Sequence, residues 1–309
     1  MIHFIHNPPR FSHTNRSYLT QWFHKDVLII TDVDINEEAN LEEMIAAHPC
    51  KNVLVDLSHN AMPESDIPEF LKKFTILSTM FDKWYGNYAE HGIHYFPLWL
   101  WMFSCRSNQF FGPTVFDANG HKTQTIMCLN RNPIPHRARL RQLLDPVVHD
   151  MVYTMDWRGL PGDYVEPHDQ KIRIDISVGH PVYSQCAVNI VTETVVDRPS
   201  LSEKSCKPFV ARQIPIIVGP RHANRFLSDL GLDMFEDLVP WKTWDDEPDV
   251  ETKLQLISNF VISWVQSGTI LPSYRSVTDR IERNKQYFHS DEFRRTILKR
   301  IPVTDPFTP

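Results

Sequence analysis

Glycine is scarce in this chain, with 10 residues in 309 against 23 prolines. Neither GxGxxG nor GxxxxGK[ST] occurs, so a glycine-rich phosphate cradle is excluded. Cysteine is also sparse and odd in number, five in all, with no CxxC pair. A disulfide framework and a zinc ribbon are thereby excluded, and a reducing, cytoplasmic setting is expected. Cys128 and Cys186 fall on apolar strand-like runs, where a free thiol acts as a small hydrophobe. The 15 histidines are scattered and form no HxH or HExxH pattern that would hold a metal. The densest apolar run, residues 92–103, is too short to span a bilayer. The first residues, MIHFIHNPPR, turn polar too soon for a signal peptide, so no membrane partner is expected. Neither sign of charge dominates: 38 acidic and 32 basic residues leave a net charge of -6, which gives no global nucleic-acid signal.

What is present is an ordinary globular composition, 42% hydrophobic and 23% charged. Apolar runs at residues 1–6, 27–31 and 52–57 read as strands. Residues 40–48 read as a helix with Leu41, Met44 and Ile45 on one face, and residues 66–77 as a helix of the 3.6 period. The aromatic stretch 81–103, with Trp84, Tyr85, Tyr95, Phe96, Trp99 and Trp101, is expected to pack the end of this first half. A strand at 123–130 and a helix at 135–144 follow.

A second alternation comes next: strands at 151–155 and 187–192, a helix from Ser202, a strand at 214–219, a helix at 222–230 and a short strand at Met234 and Phe235. Residues 247–267 form the longest helix, with Leu254, Ile257, Val261 and Trp264 or Val265 inward, and two further helices cover 276–301. Alternating strands and helices predict an α/β fold with parallel sheets.

The most informative segment is residues 188–219. Ser202 is a good N-cap, and Pro199 and Pro208 limit where the chain turns. Yet Lys204 and Lys207 fall in the first turns, where the helix dipole is already positive. Cations there suit an anion such as phosphate held by backbone N–H groups. Glu203 adds a carboxylate able to accept from sugar hydroxyls. Lys207, about one turn on, can pair with Glu203 or reach the phosphate. A second cationic helix start follows the 123–130 strand, at His136, Arg137 and Arg139.

The order Asn189, Glu193, Ser202-Glu203-Lys204, Lys207-Pro208 and Ile214-Pro215-Ile216-Ile217-Val218-Gly219 resembles the donor-binding segment of fucosyltransferase-like glycosyltransferases, including the family-10 enzymes and their viral and phage relatives. Cys128-Leu129-Asn130-Arg131 followed by Pro135-His136-Arg137 resembles a second piece of that family, and the likeness covers residues 123–235. It implies a GT-B architecture: two Rossmann-like parallel-sheet domains facing across a cleft, with a C-terminal helical tail. Residues 1–120 would form the acceptor-side domain, 121–275 the nucleotide-sugar donor domain and 276–309 the tail.

By the resemblance, Arg137 and Lys204 contact donor phosphates, Glu203 holds the ribose, and Asn189 and Glu193 lie near the sugar or base. Transfer would invert configuration. The expected donor is a GDP- or UDP-sugar and the acceptor a glycan hydroxyl or a hydroxymethylated base in phage DNA, in a soluble enzyme of viral, phage or bacterial type.

An inverting enzyme of this kind also needs a base in the first domain. Glu64, His59 and Asp56, in VDLSHNAMPESD after the 52–57 strand, are the candidates. No cofactor is required beyond the donor, since cationic side chains can replace a metal at the diphosphate. Two alternatives stand beside this reading. Asp32 and Asp34 form a DxD after an apolar strand, the divalent-metal signature of another glycosyltransferase class. The scaffold could also serve a non-catalytic nucleotide- or phosphosugar-binding protein.

Overall fold

The computed structural model describes residues 2–4, 27–31, 40–49, 53–57, 68–71, 75–78, 93–95, 100, 103–104, 121–130, 133–155 and 178–299. The chain divides into two compact units, Met1–Leu98 with Ile297–Pro309, and Trp99–Thr296.

The first unit contains five strands: β1 (Ile2–Phe4), β2 (Val27–Thr31), β3 (Val53–Leu57), β4 (Thr75–Ser78) and β5 (Ile93–Tyr95). They pair in sequence order, all parallel. Leu28 and Ile30, two residues apart, are both fully buried, as is Val55, which is the pattern of a strand with one face in a core. Helix α1 (Leu41–Ala47) buries Leu41 and Ile45, one turn apart, as its periodicity predicts.

Residues 66–77 do not form the expected helix. A single 3-10 turn at Glu69–Leu71 is followed by β4, paired on both sides. The run Thr75-Ile76-Leu77 is short enough that helical and strand periods both fit it, and pairing with β3 and β5 decides. The order β1-β2-β3-β4-β5 also contains no reversal, so these strands alone offer no switch point of the doubly wound kind.

The second unit is built on β6 (Gln124–Leu129), β7 (Val152–Thr154), β8 (Cys186–Thr192) and β9 (Ile214–Val218), all parallel in the order β7-β6-β8-β9. All seven residues of β8 are buried, the continuous apolar run of a central parallel strand. Pro215 is tolerated in β9 because that strand is an edge. Helix α2 (Pro135–Leu143) leads from β6 toward β7, α3 (Pro181–Gln185) precedes β8, and α4 (Glu203–Val210) connects β8 to β9.

Beyond β9 come α5 (Ala223–Asp229), α6 (Lys242–Asp245), α7 (Val250–Gln266), α8 (Ile270–Ser276), α9 (Thr278–Phe288) and α10 (Asp291–Lys299). Helix α7 buries Leu254, Ile257, Val261 and Trp264, the face its sequence predicts. Met234 and Phe235 are not a strand; Phe235 has φ 52, which ends extended structure. The two expected tail helices are α9 and α10, and α8 is an additional one. The tail packs on α4 through stacked rings of Phe209 and Phe288 with centroids 5.6 Å apart. Among the described residues no helix is long and apolar enough to cross a membrane. Cys128, Cys186 and Cys206 are buried and free.

Candidate anion site at the strand-order reversal

In the second sheet the chain moves from β6 outward to β7, then returns to place β8 on the other flank of β6. The reversal lies between β6 and β8, and ligands of open α/β sheets bind outside the carboxyl ends of the strands at such a point. Asn130 follows β6 there, and Thr192 and Glu193 lie at the end of β8.

Local sequence explains what arrives at this edge. Helix α2 starts with Pro135, whose missing N–H costs nothing at the first helical position. No acid lies in its first turn, so His136 and Arg137 are carried directly to the end of β8. Arg137, only 3% exposed, donates from Nη2 to the Thr192 carbonyl at 2.9 Å and to Thr194 Oγ1 at 3.3 Å. His136 donates from Nε2 to the Glu193 carbonyl at 2.8 Å. Burial holds the imidazole pKa below its ordinary value and so favours the neutral ring. Asn130 accepts from the Thr192 hydroxyl and faces Tyr153 Oη at 3.4 Å.

Glu193 is the hub. It is 1% exposed, and its carboxylate accepts from Ser202 N at 3.0 Å, Ser202 Oγ at 2.6 Å and Ser205 Oγ at 2.6 Å. Its backbone N–H donates to Val218 at 2.9 Å. One residue thus joins the ends of β8 and β9 to the starts of α2 and α4. Ser202 caps α4 by accepting from Lys204 N at 3.3 Å, as its sequence position predicts. Pro208 sits inside that helix, where it removes a backbone hydrogen bond to the preceding turn and bends the path.

Lys204 donates from Nζ to Glu203 at 3.0 Å and to Ser202 Oγ at 3.1 Å. Burial opposes its charge, but Glu203 and Glu193 outweigh that and raise its pKa, while Arg137 pulls it down. Burial lowers the Arg137 pKa, and Glu193 and Glu203 oppose the shift. Arg137 and Lys204 therefore both feel the charges of Glu193 and Glu203. Four charged groups of zero net charge converge on one end of the sheet.

The other expected residues go elsewhere. Asn189 donates to Gln213 Oε1 at 2.9 Å inside the core. It stands four residues before Glu193, about 13 Å along the strand at 3.3 Å per residue, and does not join the cluster. Lys207, buried, donates to Tyr183 Oη at 3.2 Å and lies 5.4 Å from the centre of that ring. Arg139 is drawn off by Glu251 of α7, 2.9 Å from its Nε. Asp56 is the fourth residue of β3, in register with Thr31 and Leu77. His59 and Glu64 lie outside the described residues, as do Asp32 and Asp34. Among the described residues no cluster of three or more His, Cys, Asp or Glu is arranged to hold a metal.

Three participants were not foreseen. Ser205 lies one turn into α4 on the side of its cap. Asp245 caps α5 from a distance, accepting from the Asn224 and Arg225 backbone N–H groups at 2.9 Å each. Lys253, 4% exposed, donates from Nζ to the Gly219 carbonyl at the end of β9, 3.3 Å away. Its position one helical turn before Ile257 is the signal that could have found it, since a lysine on an inward stripe is rarely idle. No protein-family model matches the chain and no curated protein is significantly similar to it, so its chemistry must be read from the site itself.

Proposed function

We propose that the chain is a glycosyltransferase of GT-B architecture that moves a sugar from a nucleotide diphosphate donor to a hydroxyl acceptor. One observation carries this reading: Arg137 and Lys204, from two separate helix starts, meet at the end of β8, Arg137 on the Thr192 carbonyl and Lys204 on Glu203 and on Ser202, whose hydroxyl Glu193 holds. A diphosphate placed there meets backbone N–H groups of α4, a guanidinium and an ammonium, the groups that stabilise a leaving pyrophosphate without a resident metal.

In this mechanism the diphosphate takes Lys204 from Glu203, and the freed Glu203 carboxylate accepts from the ribose hydroxyls. The acceptor O–H gives its proton to a base of the first unit, for which Asp56, His59 and Glu64 are the candidates. The acceptor oxygen bonds to the anomeric carbon as the bond from that carbon to the donor phosphate oxygen breaks. The electron pair leaves with the nucleoside diphosphate, and attack from the opposite face inverts the centre. A glycan or a hydroxymethylated DNA base would supply the hydroxyl.

The test is titration with GDP, UDP and their sugars, followed by mass spectrometry of candidate acceptors. Binding that weakens at least about tenfold in Lys204→Met and in Arg137→Met, together with transfer by the wild type, is the expected result. Wild-type protein that binds neither nucleotide sinks the reading. Binding without transfer or donor hydrolysis would instead mark a nucleotide-binding protein.

A further inference from the structure

Lys253 is brought to the carboxyl end of β9 from the first turn of α7, and its setting differs from those of Lys122 and Lys204. Lys122 donates to two carbonyls at 2.7 and 2.9 Å. Lys204 has partners at 3.0 and 3.1 Å. Lys253 makes one long contact among the described residues, 3.3 Å to Gly219.

An ammonium so far removed from water ordinarily gathers several close acceptors. Asp245, whose charge bears on Lys253, is already occupied: its carboxylate accepts from Asn224 N, Asn224 Nδ2 and Arg225 N, each at 2.9 Å. Burial lowers the Lys253 pKa, with Asp245 and Glu247 opposing at longer range. The group is a buried cation with donor capacity left over.

Its location gives that capacity a direction. Gly219 directly follows Val218, whose carbonyl accepts from the Glu193 backbone. A methyl group built on Gly219 would stand 3.6 Å from Glu193 Cγ. The Arg139–Glu251 ion pair also fixes the first turn of α7 to α2, the helix that carries Arg137.

We propose that Lys253 is a third phosphate-contacting residue of this site, binding the diphosphate from the β9 side while Arg137 and Lys204 bind it from the β8 side. This rests on the reading of the site as a nucleoside diphosphate pocket. An added Cβ at Gly219 would also meet Ala223 Cβ and Ile217 Cγ2 at 3.3 Å.

The experiment is calorimetric titration of the full chain with GDP and UDP and, separately, with guanosine and uridine. Lys253→Met should weaken diphosphate binding about tenfold or more and leave nucleoside binding unchanged, and Lys253→Arg should restore most of the loss. Equal weakening of diphosphate and nucleoside, or no change in either, overturns the proposal. Should Lys253→Met fail to fold, the wild-type Lys253 ammonium resonance decides: it must shift on adding diphosphate and stay still with nucleoside. If the wild type binds no diphosphate, the site reading falls and takes this proposal with it. If Arg137→Met and Lys204→Met weaken binding but Lys253→Met does not, only the role of Lys253 falls.

Discussion

Replacing Glu193 by Gln or Ala separates a structural hub from a residue held ready for substrate. The carboxylate accepts three bonds, two at Oε1 and one at Oε2, over 2.6–3.0 Å. In Glu193→Gln the remaining oxygen can keep Ser202 N and Ser205 Oγ, but the amide nitrogen cannot accept from Ser202 Oγ, which already accepts from Lys204 N and Nζ. Two charge-assisted bonds become neutral ones and the Ser202 hydroxyl must turn to another acceptor. Bonds to a charged partner contribute about 1.5–3 kcal/mol and neutral ones about 0.5–1.5, and relief of the buried charge offsets part of the difference.

The expected cost is about 2 kcal/mol, or a melting temperature about 4–8 °C lower for a unit of this size. Glu193→Ala instead strands three buried donors beside Arg137 and Lys204 and should cost about 3–5 kcal/mol. Urea unfolding and calorimetry of the ligand-free protein measure both. A carboxylate serving only a ligand would behave oppositely, since removing functional charge commonly leaves the empty protein as stable or more so. Finding Glu193→Gln as stable as the wild type, or Glu193→Ala no worse than Glu193→Gln, would refute the hub.

Three further outcomes follow from the same geometry. His136 is held neutral by burial, so the unfolded chain takes up its proton first, near the ordinary value of about 6.5. Stability should fall as pH drops below that value, the imidazole resonance of His136 should titrate lower, and His136→Gln should flatten the slope. Gly231→Ala combines a left-handed φ of 90 with a Cβ placed 2.7 Å from Tyr287 Oη, a hydroxyl that donates to the Leu230 carbonyl at 2.9 Å; about 2–3 kcal/mol should be lost. Gly268→Ala, at φ 67 with nothing within 4 Å, should lose only about 1 kcal/mol, the left-handed strain alone, and the difference in urea midpoints isolates the Tyr287 contact. Arg139→Ala removes an ion pair whose side chains are 42% and 53% exposed; it should change stability by less than about 1 kcal/mol and leave nucleotide affinity within twofold in the same titrations.

The strands and the long helix were legible because local patterns specify them. Residues 27–31 and 214–218 are apolar runs of strand length, and Leu254, Ile257 and Val261 mark one side of α7. The 66–77 segment was not legible, because Thr75, Ile76 and Leu77 satisfy two periods and only pairing with β3 and β5 distinguishes them. Met234 and Phe235 look like a strand until a left-handed φ at Phe235, whose buried ring lies under Arg280, ends extension. Asn189 has the composition of a site residue but the position of a core one, and its Gln213 partner is 24 residues away.

The same division between local and distant signals governs the site. Cations in the opening turns of α2 and α4 are visible in the sequence, because basic residues at a helix start are locally anomalous. What neutralises them is not visible: Glu193 reaches Ser202 and Ser205 only when the chain between β8 and α4 folds back, and its effect on Arg137 depends on β8 lying beside β6. The cluster is therefore balanced, with Lys204 on Glu203 and Arg137 on the Thr192 carbonyl. Of the two cations, Lys204 is the one paired with a charged side chain. Arg137 is bound instead to a backbone carbonyl and a neutral hydroxyl. That asymmetry makes Arg137 the fixed half of the cluster and the Lys204–Glu203 pair the exchangeable half, so Lys204→Met should disturb the surrounding hydrogen bonds less than Arg137→Met does, a difference that urea unfolding of the two variants measures.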